Sequence, residues 1–199
     1  MDIPIEKIRE LRERTGSGVL DCKKALMTTD GDIDKAIEHL RKLGIAKAAT
    51  KLMRKTEEGV IESYIHPGAR LGILVELNCE TDFVAKTDDF KKIAKDIAMQ
   101  IAASNPISIR REDVAQEIVE REKSIYRTQM ENSGKPETIV DKIVEGKLNK
   151  FFKDSCLLEQ PFVRDSNMTV EDYIKGYIAK LGENITVKRF TRFHIGEEA

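Results

Sequence analysis

The sequence predicts an α+β protein: a front domain of three short helices, then an antiparallel sheet with helices laid on it and a helical hairpin inserted. Three observations carry that prediction. Apolar residues recur at helical spacing through the first fifty positions, broken by glycine pairs. Two apolar runs, Gly59–Ile65 and Leu71–Cys79, flank the turn residues His66-Pro67-Gly68-Ala69-Arg70 and read as a β-hairpin. Residues 110–153 are densely charged, with a thin apolar seam and no strand pattern. The segments are therefore 1–53 (front helices), 54–109 (first part of the core), 110–153 (inserted antiparallel coiled-coil hairpin) and 154–199 (second part of the core).

The front domain starts with Pro4, which suits a first helical turn, followed by Ile5, Ile8 and Leu11 on one face. Thr15-Gly16-Ser17-Gly18 breaks that helix. A second, from Val19 to Thr28, is expected to turn Leu20, Ala25 and Leu26 inward. Asp30-Gly31-Asp32 forms a turn, and Asp32 caps a third helix with Ile33, Ala36, Ile37 and Leu40 along one side and Gly44 at its end. From Arg41 to Lys55 the chain carries Arg41, Lys42, Lys47, Lys51, Arg54 and Lys55 without an acid. The strip reads as a solvated helix and tether, with a positive face toward an acidic partner as the functional alternative.

After the hairpin, Glu80–Lys86 reads as a short polar turn with a single Phe. A helix follows from Asp88 to Ala103, with Phe90, Ile93, Ala94, Ile97, Ala98 and Ile101 in one stripe. Asn105-Pro106 stops it. Val114, Ile118, Ile125 and Met130 mark one long helix, Ser133-Gly134-Lys135-Pro136 a turn, and Ile139, Val140, Ile143, Val144 and Leu148 the return. Phe151-Phe152 and Gln160-Pro161-Phe162-Val163 re-enter the core. Thr169, with Asp172 three residues on, opens a helix bearing Val170, Tyr173, Tyr177 and Leu181, which Gly182 ends. Ile185–Ile195 is the closing strand, with Arg189 and Thr191 breaking its inward face.

Composition narrows the function classes. Of 199 residues, 35% are charged, above the ~25% of ordinary globular chains, yet the net charge is only −1. A general nucleic-acid binder would be more basic. No apolar run approaches the ~20 residues that span a bilayer, and Met1-Asp2-Ile3-Pro4 does not open a signal peptide, so a cytoplasmic protein without membrane attachment is expected. Cys22, Cys79 and Cys156 match neither a disulfide framework nor a metal spacing, and no cofactor is expected. Gly16-Ser17-Gly18 lacks the Lys-Ser/Thr of a phosphate-binding loop, so direct nucleotide binding is not expected either. His39, His66 and His194 lie on separate elements. Cys79 stands beside Glu80 and Asp82, which disfavours a thiolate, whereas Cys22 beside Lys23 and Lys24 leaves a lowered pKa open. These patterns point to a protein that acts by binding.

Two segments carry a resemblance. Leu11-Arg12-Glu13-Arg14-Thr15-Gly16-Ser17-Gly18-Val19-Leu20-Asp21-Cys22-Lys23-Lys24-Ala25-Leu26 and Asn78-Cys79-Glu80-Thr81-Asp82-Phe83-Val84-Ala85-Lys86 closely resemble bacterial translation elongation factor Ts. Ser133-Gly134-Lys135-Pro136, Gln160-Pro161-Phe162-Val163 and the closing Arg192-Phe193-His194-Ile195-Gly196-Glu197 extend the likeness to nearly the whole chain. That family exchanges guanine nucleotide on the GTPase elongation factor Tu without a catalytic site of its own. The resemblance implies a ubiquitin-associated-like front domain. It implies a turn at Thr81, Asp82, Phe83 and Val84 that reaches the partner's Mg²⁺ and nucleotide pocket. It also implies a grip on the partner's GTP-binding domain to which Val19, Leu20 and Lys23 contribute.

Longer family members carry two copies of the core subdomain, and here one is readable, so pairing of two chains into a homodimer is expected. The competing readings are a helical adaptor that dimerises through its hairpin, an RNA-associated factor using the Arg41–Lys55 strip, and a thiol enzyme at Cys22.

Overall fold

Leu11, Cys22, Ala25, Leu26, Ala36 and Leu40, drawn from three helices, gather with Ile3 into one buried cluster. The computed structural model describes residues 3–130 and 135–197. Its front helices are α1 (Ile5–Thr15), α2 (Val19–Thr28) and α3 (Ile33–Ala49). Gly16 closes α1 in the left-handed conformation at φ 66°, where a side chain would be strained. Asp32 caps α3 by accepting the Lys35 N–H at 3.0 Å.

Three details of the bundle differ from expectation. Ile5 and Leu20 are exposed rather than inward, and Ile3 and Cys22 take their places in the core. Gly44 does not end α3, which continues to Ala49. A Cβ at Gly44 would lie 3.2 Å from the Ala179 Cβ, so this glycine permits close approach and does not break the helix.

Strands β1 (Glu58–Ile65), β2 (Leu71–Cys79) and β5 (Ile185–His194) form an antiparallel sheet with β2 central. Along β2 the alternate residues Ile73, Val75, Leu77 and Cys79 are buried, the period of a strand with one face on the core. Gly59 in β1 is required by crowding: a Cβ there would sit 2.2 Å from the Leu77 carbonyl oxygen. Helix α4 (Asp82–Ala85) and helix α5 (Asp88–Ser104) follow β2. The apolar stripe of α5, from Phe90 to Ile101, is fully buried as its spacing requires. The polar turn expected at Glu80–Lys86 is thus mostly one turn of helix.

The 110–153 segment holds a helix and its return, the first of them short of the expected Val114 and Met130 at its two ends. A 3₁₀ turn at Arg111–Asp113 precedes α6 (Gln116–Thr128), and the return is α7 (Glu137–Ser155). Asp113 accepts the Arg110 backbone N–H at 3.0 Å, a local bond that competes with helix extension. Val114, Phe152 and Cys156 form the buried root of this hairpin, flanked by Ile118, Leu148 and Phe151. Farther out Ile125 and Ile139 are exposed, and cross-helix polar pairs such as Arg127–Asp141 at 2.6 Å accompany the thin seam. Ser133 and Gly134 of the expected turn lie outside the described residues.

A small antiparallel pair, β3 (Pro161–Phe162) and β4 (Asp165–Thr169), was not legible in the sequence. Phe162 is buried there but Val163 is exposed. The buried Gln100 side chain ties this return to α5: its Nε2 donates to the Pro161 carbonyl at 3.2 Å, and its Oε1 accepts the Val163 N–H at 2.8 Å. On α8 (Val170–Leu181) the fully buried stripe is Val170, Ile174 and Ile178, with Tyr173 and Tyr177 only half-buried and meeting edge to face. Gly182 ends α8 at φ 83°.

Two discontinuous compact units result. One comprises Met1–Val60, Leu77–Lys91 and Asp172–Thr186; the other comprises Ile61–Glu76, Lys92–Glu171 and Val187–Ala199. Among the described residues no helix is long and apolar enough to cross a membrane.

Candidate functional site

The site is built on the end of β2. After Cys79 the chain turns at Glu80 and Thr81 and enters α4, whose four residues are Asp82, Phe83, Val84 and Ala85. Thr81 is the N-cap, its Oγ1 accepting the Val84 N–H at 3.4 Å. A four-residue helix cannot hold itself, because the first helical turn fixes several residues for one hydrogen bond. The sequence supplies supports on both sides. Thr87 Oγ1 donates to the Val84 carbonyl at 2.8 Å and accepts the Phe90 N–H at 3.2 Å, closing α4 and opening α5 with one side chain.

On the other side lies the loop after α8. Glu183 Oε2 accepts the backbone N–H groups of Glu80 at 3.1 Å and Thr81 at 3.0 Å, and its Oε1 accepts the Thr81 hydroxyl at 2.6 Å.

On this braced turn Ala85 is buried and Val84 half-buried, whereas Phe83 is 79% exposed. The phenyl ring is thus displayed to solvent and not packed under α5. Asp82 does not cap the turn, a role that falls to Thr81. It instead accepts from Lys86 Nζ at 2.6 Å, one helical turn on. The Lys86 hydrogen bond holds the Asp82 carboxyl below its ordinary range, and the Lys86 ammonium is raised in return. That ion pair is therefore present above the ordinary carboxyl range and is lost as pH falls through the lowered value.

The same compact unit carries the second set of residues. Val19, Leu20 and Lys23 are all exposed on α2, with Val19 at 50% and Leu20 at 73%. Val19 and Leu20 open the helix after Gly18, and Lys23 lies one turn on from Val19. Cys22 between them points into the bundle core. The Arg41–Lys55 strip is not a loose tether. Lys51 Nζ donates to the Gly182 carbonyl at 2.6 Å, and the Asn184 carboxamide donates to the carbonyls of Leu52 at 3.2 Å and Arg54 at 2.8 Å. Lys42 pairs with Glu38, and Arg54 with Glu80. The Lys47 side chain lies outside the described residues.

The thiols are insulated. Burial pushes Cys79 up to about 11, with the Glu183 carboxylate adding to it, and burial likewise raises Cys22 and Cys156. The lowered pKa left open for Cys22 is thus reversed: desolvation, with the Asp21 charge adding to it, outweighs the Thr15 hydrogen bond and the Arg12 charge that act the other way.

Sequence reasoning missed Glu183 and Asn184. Their partners lie about a hundred positions away, so no local spacing announces them. The only local signal is an acidic residue directly after a helix-ending glycine.

The chain is an α+β protein that displays Val19, Leu20 and Phe83 to solvent from α2 and from the braced α4. The model of the family described as elongation factor TS matches residues 23–197. The elongation factor Ts of Carboxydothermus hydrogenoformans is 58% identical over 195 residues, covering 98% of this chain and 90% of that protein. Those of Thermosipho melanesiensis and Fervidobacterium nodosum are 57% and 55% identical, covering 98% and 99% of this chain and the whole of each relative. The chain belongs to the elongation factor Ts family. Membership carries the role of nucleotide exchange factor for elongation factor Tu, a role in translation that is not catalysis of a chemical reaction.

Proposed function

We propose that the chain releases GDP from elongation factor Tu by presenting Phe83 as a wedge to the partner's Mg²⁺ and phosphate site. Thr81, Asp82 and Val84 form the rest of that contact. The single observation that carries the reading is a phenyl ring 79% exposed on a turn whose backbone is braced from both sides. Mg²⁺ demands near-ideal octahedral geometry, so a shift of ~1 Å in the loop that holds it costs the ion much of its grip. Without the ion the β-phosphate charge is poorly compensated and GDP leaves faster. Val19, Leu20 and Lys23 supply the grip on the GTP-binding domain.

Linkage requires that a protein which weakens GDP binding by some factor is itself displaced by GDP by the same factor. The exchanger therefore has no need to recognise guanine or to prefer GTP. The nucleotide ratio in the cell gives the direction.

The direct test is release of a fluorescent GDP from elongation factor Tu with substoichiometric amounts of this chain. Rapid multiple-turnover release is expected. Release at the spontaneous rate, with binding still detectable, would move the reading to an adaptor.

Pairing of two chains belongs to the same proposal. In the second compact unit Ile61, Ile65, Leu74, Phe193 and Ile195 stand between 45% and 69% exposed. Leu74 alternates with buried Ile73 and Val75, which puts it on the open side of the sheet. An open sheet face with several large apolar side chains favours burial against another such face. Light scattering of the wild-type chain at micromolar concentration is expected to give twice the chain mass, and Phe193→Asp the single mass. A monomeric wild type would remove the pairing.

A further inference from the structure

We infer that Glu183, in the loop between α8 and β5, is the residue that positions the Thr81–Val84 turn for exchange. The inference rests on the wedge reading of Phe83 and adds to it a residue outside the signature segment. A ring 79% exposed is not oriented by packing, so its aim depends on the backbone of α4. That backbone begins at Glu80 and Thr81, and both N–H groups end on one oxygen of Glu183, at 3.1 and 3.0 Å. The other oxygen takes the Thr81 hydroxyl proton at 2.6 Å, which leaves the Thr81 oxygen lone pairs for the Val84 N–H. One carboxylate thus fixes both the entry to α4 and its cap, through charge-assisted hydrogen bonds.

The contact is reciprocal. Glu80 Oε1 accepts the Asn184 backbone N–H at 2.7 Å, so each of the two loops places a carboxylate on the other's backbone. Asn184 is 1% exposed, and its carboxamide reaches the carbonyls of Leu52 and Arg54 just beyond α3. Gly182, at φ 83°, reverses the chain after α8 and sets Glu183 where it can reach the turn. Glu183 is 102 residues from Thr81 in sequence, so the turn is aimed by a distant segment of its own compact unit.

The experiment uses the full-length chain and elongation factor Tu loaded with fluorescent GDP. Glu183→Ala is expected to slow the saturating rate of release ~10-fold, since misplacement of a reacting group by ~1 Å costs that much or more. The concentration for half-maximal rate should move little, because the α2 surface is untouched. Glu183→Gln keeps one acceptor oxygen and should recover part of the rate. If Glu183 acts through Phe83, the Glu183→Ala/Phe83→Ala pair is no slower than Phe83→Ala alone.

Hydrogen exchange of the free chain should show the Glu80 and Thr81 amides losing protection in Glu183→Ala, or in Glu183→Gln if the alanine variant does not fold. A wild-type saturating rate in Glu183→Ala overturns the inference. So does a double variant slower by the product of the two single effects, and so does unchanged protection of the two amides. Should Phe83→Ala itself leave release unchanged, the wedge reading fails on its own. The two amides then still decide whether Glu183 holds the turn.

Discussion

Phe83→Ala is expected to slow the catalysed release of GDP at least ~tenfold, equivalent to ~1.4 kcal/mol in barrier, while leaving the melting temperature near that of the wild type. The two halves of this expectation have one physical origin. A ring 79% exposed contributes almost nothing to folding, because it has hardly left water. Alanine is also the best helix former, so α4 loses no propensity. On the proposed reading the ring's effect falls in the encounter with the nucleotide site, where its bulk would act on a loop that holds an ion of strict geometry. Stopped-flow release at saturating concentrations of the variant, beside a thermal melt, separates the two. A stable Phe83→Ala protein that exchanges at the wild-type rate would show that the wedge is not the acting group.

Leu20→Asp is expected to weaken the complex with elongation factor Tu by ~30-fold, about 2 kcal/mol, the scale of a central apolar contact replaced by a charge. Here too the folded chain should tolerate the change, since Leu20 is 73% exposed and the bundle core is made by its neighbours Cys22, Ala25 and Leu26. The kinetic signature differs from that of Phe83. A lost grip raises the concentration needed for half-maximal exchange and spares the saturating rate, whereas a lost wedge lowers the saturating rate itself. Titration calorimetry and the same fluorescence assay read the two parameters independently. If Leu20→Asp binds with unchanged affinity, α2 is not part of the contact surface.

Both variants are more informative than removal of residues 1–53. The front helices, the linker carbonyls at Leu52 and Arg54, and the loop at Gly182–Asn184 belong to one compact unit. Cutting the chain at residue 53 would remove the Leu52 carbonyl that Asn184 donates to. A loss of affinity would then report on the turn as well as on α2.

Much of this architecture was legible because its signals are local. The Gly16 and Gly182 helix ends, the Asp32 cap, the bounds of β2 and the buried stripe of α5 each follow from a few consecutive residues. A periodicity or a left-handed glycine acts on its own neighbourhood, whatever the rest of the chain does. The departures are of another kind. Leu20 obeys the apolar pattern of α2 and yet faces outward, because Cys22, Ala25 and Leu26 already fill the side toward the bundle. Gly44 has the composition of a helix stop and serves instead to let Ala179 approach. The 3₁₀ turn at Arg111–Asp113 follows from one side-chain bond that interrupts an otherwise helical charge pattern. On α8 the tyrosines at 173 and 177 have the right spacing for a core face. The isoleucines at 174 and 178 bury more completely in their place.

What the sequence by itself determined is the inventory: the α+β class, nearly every helix and strand, and the Thr81–Val84 segment as the candidate site. Tertiary structure alone decided how that segment is held. A short helix cannot stabilise its own entry, and the carboxylate that does so stands in a loop 102 residues later, brought within 2.6 Å of the Thr81 hydroxyl only when the chain has folded. Exposure was settled at the same level. Phenylalanine is usually buried, and no spacing rule distinguishes a ring packed under a helix from one displayed on its surface. Only the competition among all apolar side chains for the limited space of the core leaves Phe83 outside.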